Sequence, residues 1–276
     1  MQDVFGKSMA PLRDKTLFLL DMDGTIYLGD DLFSGTVELL RAISERGGRY
    51  VFITNNSSRS VGDYVAKLHR LGLPFVREDD FFTSTQATLM LLKQRFGDRL
   101  LYVQGTRSFV RELSEGGLSV TEEFTDRAAA IVVGYDTELT AGKMETTCRM
   151  LTLFDLPYYA ANPDWVCPTE FGYVPDCGSM CRGYELATGK RPIFVGKPEP
   201  TMIEVVSERF GRRREEVLVV GDRLYTDIAS GRNAGVDTLC VLSGECTLDE
   251  VRAEAVPPTY TAESIRDLLA TLTEPV

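Results

Sequence analysis

Short apolar runs ending in Gly, Asp or Asn alternate along this chain with amphipathic stretches, and that alternation restricts the fold to βαβ units built around parallel sheets. Leu17–Leu20 is the first such run. Tyr50–Ile53 is the next, and a helix follows it with Val61, Val65, Leu68 and Leu71 on one face, Ser57 and Ser58 as candidate caps and Gly72 as its stop. Near the C-terminal end, Val217–Val220 and Thr238–Leu242 repeat the strand pattern, separated by a short helix from Asp227 to Ala234 that Gly235 closes. A second series occupies the middle, where Leu100–Val103, Ala129–Val133 and Leu156–Ala160 read as strands, each with a helical stretch after it. No internal repeat or low-complexity linker separates the two series. The middle therefore reads as a domain inserted into a loop of the first, with residues 1–86 and 192–276 forming the core and 87–191 the insertion.

Composition narrows the chemistry. The 276 residues are 43% hydrophobic and 26% charged, the balance of a globular chain, and the length suits about two domains. A single histidine, His69, excludes HExxH zinc sites and other centres needing two imidazoles, and its helical, apolar setting makes it structural. With 30 basic against 41 acidic residues the net charge is −11, which repels nucleic acid and anionic lipid, so an anionic ligand must be held by local chemistry. Met1 to Lys15 holds no apolar run of signal-peptide length, and no stretch approaches a membrane span, so a cytoplasmic protein is expected. The cysteines Cys148, Cys167, Cys177, Cys181, Cys240 and Cys246 form no CxxC pair and read as reduced thiols, with Cys177 and Cys181 as packing.

The polar residues that matter stand at strand ends. Leu17–Leu20 runs directly into Asp21-Met22-Asp23-Gly24-Thr25, and residues two apart on an extended segment project to the same side. Two carboxylates then meet at the carboxyl end of a parallel strand, where such sheets bind ligands, and only a cation or a proton relieves their repulsion. The second strand ends in Thr54-Asn55-Asn56-Ser57-Ser58, whose hydroxyls and free backbone N–H groups suit an anion. Ile193-Phe194-Val195 leads into Gly196-Lys197-Pro198, and Val219-Val220-Gly221-Asp222 places an acid at one more strand end, with Asp227 near the next helix start. Together these are the parts of a magnesium-dependent phosphoryl site: carboxylates for a hard cation, a hydroxyl and a lysine for phosphate oxygens, and a carboxylate free to attack.

The ordered set DxDGT, a strand ending in Thr, a Lys and GDxxxTD resembles the haloacid dehalogenase superfamily of phosphatases over the whole chain. Asp21 to Tyr27, Ile53 to Ser57, Gly134-Tyr135-Asp136, Ala161-Asn162-Pro163-Asp164, Gly196-Lys197-Pro198 and Gly221 to Ile228 look like the recurring segments of its NagD-like, p-nitrophenyl phosphatase group. The resemblance implies an α/β fold, a Rossmann-like parallel-sheet core with an inserted C2-type α/β cap. The spacing agrees, because only about 30 residues separate Gly24 from Thr54, too few for an independent domain. The resemblance makes Asp21 the nucleophile and Asp23 the general acid and base. Mg²⁺ would be held by Asp21, the backbone carbonyl of Asp23, Asp222 and Asp227, the last directly or through water. Gly24, Thr54, Asn55 and Lys197 would bind phosphate, and Asn162 and Asp164 in the cap would face the leaving group, with residues near Asp176 to Met180 over the opening. Tyr225 is expected to pack or touch the substrate edge.

The implied activity is hydrolysis of small phosphorylated metabolites such as nucleoside monophosphates, sugar phosphates, pyridoxal phosphate or p-nitrophenyl phosphate. Nucleic acid and membranes are not expected partners, and a homo-oligomer through the cap is compatible with the pattern. A phosphotransferase or mutase is disfavoured because the space between the first two motifs holds no cap. A dehalogenase would have no use for Asp23 or the cation carboxylates. A non-enzymatic phosphate-metabolite sensor would need no acid for a leaving alkoxide.

Overall fold

The computed structural model describes residues 1–169 and 171–274, which divide into two compact units. The first comprises Met1–Ile53, Val65–Phe82 and Lys197–Val276, and the second Thr54–Tyr64 and Thr83–Gly196.

A six-stranded sheet organises the first unit, in the order Tyr260–Ala262, Asp237–Val241, Val217–Gly221, Leu17–Leu20, Arg49–Thr54 and Phe81–Thr83. The pairings among the first five of these are parallel. Leu17–Leu20 and Val217–Val220 are buried at every position, which is why they read as unbroken apolar runs rather than as an alternation. The chain leaves Leu17–Leu20 toward Arg49–Thr54 on one side and later returns to Val217–Gly221 on the other. That reversal of strand order creates the crevice in which open α/β sheets bind ligands. Register sets what stands there: Leu20 lies opposite Val220, so the two strands deliver Asp21 and Asp222 to neighbouring carboxyl ends.

The second unit has its own five-stranded sheet, in the order Ile193–Phe194, Tyr158–Ala160, Ile131–Val133, Leu101–Gln104 and Val120–Thr121, parallel throughout. Its core joins Tyr102, Ile131, Val133, Met150, Leu151 and Tyr184, with Cys177 and Cys181 buried among them as packing residues. The helices Arg107–Glu115 and Ala141–Leu153 follow two of the strands, capped by the hydroxyls of Thr106 and Thr140. After Tyr158–Ala160 the chain instead forms an antiparallel hairpin, Val166–Thr169 with Gly172–Pro175, before the helix Cys177–Thr188. The hairpin is half exposed and lacks the apolar alternation that reveals a strand.

Two details differ from the sequence reading. Ser57 and Ser58 do not cap the helix Val61–Arg70; Ser60 does, exchanging hydrogen bonds with Asp63, while the Ser57 hydroxyl accepts from the Tyr135 N–H at 2.8 Å. The segment after Asp222 opens with a π-turn, Leu224–Ile228, before the helix Ala229–Ala234. His69 meets the Val76 carbonyl at 2.8 Å, a structural contact. Among the described residues, no helix is long and apolar enough to cross a membrane.

Candidate active site

At the crevice of the first unit, Lys197 is the residue that ties distant segments together. Its ammonium stands 2.6 Å from Asp21 Oδ1 and 2.5 Å from Asp227 Oδ1, and it donates to the Ile53 carbonyl at 3.2 Å. The side chain is only 2% exposed, so three acceptors replace the water it has given up. Burial opposes its charge, yet the Asp21 and Asp227 carboxylates outweigh burial and push its pKa upward, keeping it an ammonium.

The acids are arranged around that cation. One ligand atom each from Asp21, Asp222 and Asp227 lies within 4.8 Å of the others. Asp227 Oδ2 accepts the Arg223 N–H at 3.1 Å, and Asp222 Oδ2 accepts the Glu245 N–H at 2.7 Å. Asp222 Oδ1 is buried and has no hydrogen-bond partner. An orphaned carboxylate oxygen beside two further carboxylates is a poor arrangement for the polypeptide alone and a good one for a hard divalent cation. The electrostatics agree. Burial first, then the neighbouring Asp227, raises Asp21 to about 7 against the pull of Lys197, and burial with the Asp21 and Asp227 charges lifts Asp222 well above the carboxylate range.

Gly24 is fixed by the same crowding. It has φ of +81°, and a Cβ there would collide with the Asp222 carboxylate, so only glycine turns the chain this close to the acids. Asp23 stands outside the carboxylate group, its Oδ2 accepting the Tyr27 hydroxyl at 3.1 Å. Its expected contribution to a cation is a backbone carbonyl, which needs no place for the side chain there.

Thr54, Asn55, Asn162 and Asp164 belong to the second unit. Thr54 ends the strand Arg49–Thr54 and its hydroxyl accepts the Asn56 N–H at 3.2 Å. Asn55 is buried, donating from Nδ2 to Asp164 Oδ1 at 2.9 Å, while its carbonyl accepts from Asn162 Nδ2 and Ser84 Oγ, each at 2.7 Å. Asn162 Oδ1 accepts the Asp164 N–H at 3.0 Å. The structure thus gathers Asn55, Asn162 and Asp164 into one buried network. Tyr225 is 41% exposed.

The sequence reading missed the loop after Asp237–Val241. Ser243 Oγ donates to the Gly24 carbonyl at 2.8 Å, a Cβ at Gly244 would strike Asp222, and Glu245 pairs with Arg223 at 2.8 Å while its N–H holds Asp222. The cue was a Ser-Gly pair directly after an apolar run, the same mark that singled out the other strand ends.

Known proteins repeat this architecture. The family model described as haloacid dehalogenase-like hydrolase matches residues 18–119, and a second, HAD-hydrolase-like model matches residues 194–268. A 5′-nucleotidase of Bacillus subtilis is 33% identical over 91% of this chain and 96% of its own length. The crystal structure of 4-nitrophenylphosphatase from Thermotoga maritima superposes with a TM-score of 0.90 at 36% identity, covering 95% of this chain and 99% of that one. A glycerol phosphate phosphatase of Mycobacterium tuberculosis, solved in complex with magnesium, superposes with a TM-score of 0.85 at 32% identity, covering 96% of this chain and 78% of that one.

Proposed function

The chain belongs to the haloacid dehalogenase-like hydrolases and is a phosphatase of that family, and on that premise we propose that it hydrolyses phosphomonoesters of small metabolites, using magnesium and an aspartyl-phosphate intermediate. The observation that carries this reading is the gathering of Asp21, Asp222 and Asp227 around Lys197, with one Asp222 oxygen left over.

Asp21, Asp222 and Asp227, with the backbone carbonyl of Asp23, are assigned to Mg²⁺. When bound, the ion neutralises the crowded carboxylates and the charge on the phosphoryl oxygens. Asp21 attacks phosphorus while the P–O bond to the leaving group breaks, and Asp23 gives its proton to the departing oxygen. Asp23 then takes a proton from water, whose oxygen attacks the aspartyl phosphate and releases inorganic phosphate, restoring Asp21. Lys197 holds Asp21 Oδ1 throughout, fixing the nucleophile's orientation. The backbone at Gly24, the Thr54 hydroxyl, the Asn55 backbone and Lys197 are assigned to the phosphoryl oxygens. Asn162 and Asp164 are assigned to the substrate side through Asn55, which both of them hold.

The relatives named above act on nucleotides, 4-nitrophenyl phosphate and glycerol phosphate, and the same chemistry serves any accessible monoester. A panel of nucleoside monophosphates, sugar phosphates and p-nitrophenyl phosphate, assayed with magnesium and again with a chelator, tests the reading. Hydrolysis should vanish with the chelator and return with added Mg²⁺. Unabated hydrolysis in the chelator, or none of any ester, counts against it.

A second expected outcome follows from the raised carboxylates. Asp21, held near 7 when folded, takes up a proton more readily than in the unfolded chain, so its contribution to metal-free stability is full below the unfolded value and fades as pH rises through about 7. A cation displaces that proton. Magnesium should therefore raise the unfolding temperature more at about pH 8 than at about pH 5, read from thermal scans with and without the ion. An equal shift at both pH values would mean that the carboxylates do not compete with protons for the metal.

A further inference from the structure

We propose that Cys240 and Cys246 are a modification site, a dithiol that peroxide converts to a disulfide, and that this bond weakens the hold of the acidic group on its cation. The effect on the cation rests on the assignment of Asp222 to Mg²⁺; the disulfide itself does not. Cys240 stands in the strand Asp237–Val241, opposite Gly221, the residue before Asp222. Cys246 closes the loop that follows, and the two free thiols bring their sulfurs to 2.9 Å. A disulfide needs about 2.05 Å, so oxidation asks for a closing movement of under about 1 Å.

The pair is packed against both segments that carry the later acids. The Cys246 N–H donates to the Asp222 carbonyl at 3.1 Å, and the Glu245 N–H before it donates to Asp222 Oδ2 at 2.7 Å. Ile228, Val251 and Leu224 pack around the sulfurs, and Leu224–Ile228 is the turn that carries Asp227. A shift of Cys246 toward Cys240 is therefore passed to residues that aim two of the three carboxylates. Groups that orient metal ligands in this way typically set affinity by about 10–100 fold.

Exposure orders the steps. Cys240 is fully buried and Cys246 is 7% exposed, so peroxide meets Cys246 first. Its sulfur takes one oxygen as the O–O bond breaks, giving a sulfenic acid and water. The Cys240 sulfur then attacks that sulfur, the S–O bond breaks, the S–S bond forms and a second water leaves. Two thiols lose two electrons and two protons, and peroxide is reduced to two waters. A dithiol reductant reverses the change.

The test treats the metal-free full chain with hydrogen peroxide, alkylates the remaining thiols and digests with trypsin. Both cysteines fall in one tryptic peptide, residues 233–252, which should escape alkylation and weigh two hydrogens less until dithiothreitol is added. Full alkylation of both thiols after peroxide overturns the proposal. Magnesium is then titrated into oxidised and reduced samples, following the unfolding temperature and the hydrolysis of p-nitrophenyl phosphate. The oxidised protein should need about tenfold more Mg²⁺ for half of either response, and dithiothreitol should reverse this. Cys240→Ala and Cys246→Ala, each compared with its own untreated sample, should show no peroxide effect, which assigns the change to this pair rather than to the other four cysteines. A disulfide that leaves both titrations unmoved, or a peroxide effect that survives in the variants, overturns the link to the cation. If the reduced protein responds to magnesium in neither assay, the metal assignment has failed, and the peptide mass still decides the disulfide.

Discussion

Asp21→Asn should abolish turnover, a fall of about a thousandfold or more, while the protein folds as before. The amide cannot open a path through an acyl phosphate, so no ester should escape the loss, good leaving group or poor. The fold should hold because the substitution removes a carboxylate whose ionisation burial opposes from a crowded group of three, and Lys197 keeps Asp227 as a partner. Steady-state kinetics on p-nitrophenyl phosphate with a thermal unfolding curve of the same sample gives both readings. Turnover within about tenfold of the unmodified protein would move the nucleophile elsewhere.

Lys197→Met should fail in a different way. It removes the donor that fixes Asp21 and, in the proposed mechanism, one phosphate ligand, for which losses of about 100 to 1,000 fold in kcat are usual. It also leaves Asp21 and Asp227 buried without their counter-charge, and breaking such a pair costs on the order of 3–5 kcal/mol. Metal-free Lys197→Met should therefore unfold well below the unmodified protein at about pH 8, and magnesium should recover part of the difference by supplying the missing positive charge. Asp21→Asn has no such deficit. Thermal scans of both variants with and without magnesium tell them apart, and an unchanged metal-free unfolding temperature for Lys197→Met would show that the ammonium does not hold the acids.

Much of this site is legible in the sequence because its residues sit where physics leaves few options. Asp21 and Asp222 each follow a buried parallel strand, which announces itself by an apolar run and exposes function at its carboxyl end, while Lys197 follows the shorter, partly exposed strand Ile193–Phe194. Gly24 is legible for a similar reason, as a residue without a side chain inside a motif dense with charge. What stays hidden is set by geometry across the chain. The Ser-Gly pair after the apolar run marks a strand end, but the return of this loop to hold Asp222 depends on Asp237–Val241 pairing beside Val217–Gly221, which no local pattern carries. Asn162 and Asp164 are visible as a polar turn, but their partnership with Asn55 spans more than a hundred positions and leaves no periodic trace. The hairpin after Tyr158–Ala160 is hard to see by periodicity because its strands are short and include Pro168, Gly172 and Pro175, with only Cys167 and Val174 packed against the core.

The position of Leu17–Leu20 in its sheet has a consequence for biosynthesis. This strand is followed shortly by its neighbour Arg49–Thr54, yet its other edge is completed only when Val217–Gly221 has been made. Until Val217–Gly221 has been made, the nascent polypeptide therefore carries an apolar ribbon with one row of unsatisfied amides and carbonyls, a template for mispairing with neighbouring chains. Asp21 precedes Lys197, Asp222 and Asp227 by the length of the whole inserted unit, so the carboxylate group can assemble only after those later segments have been made.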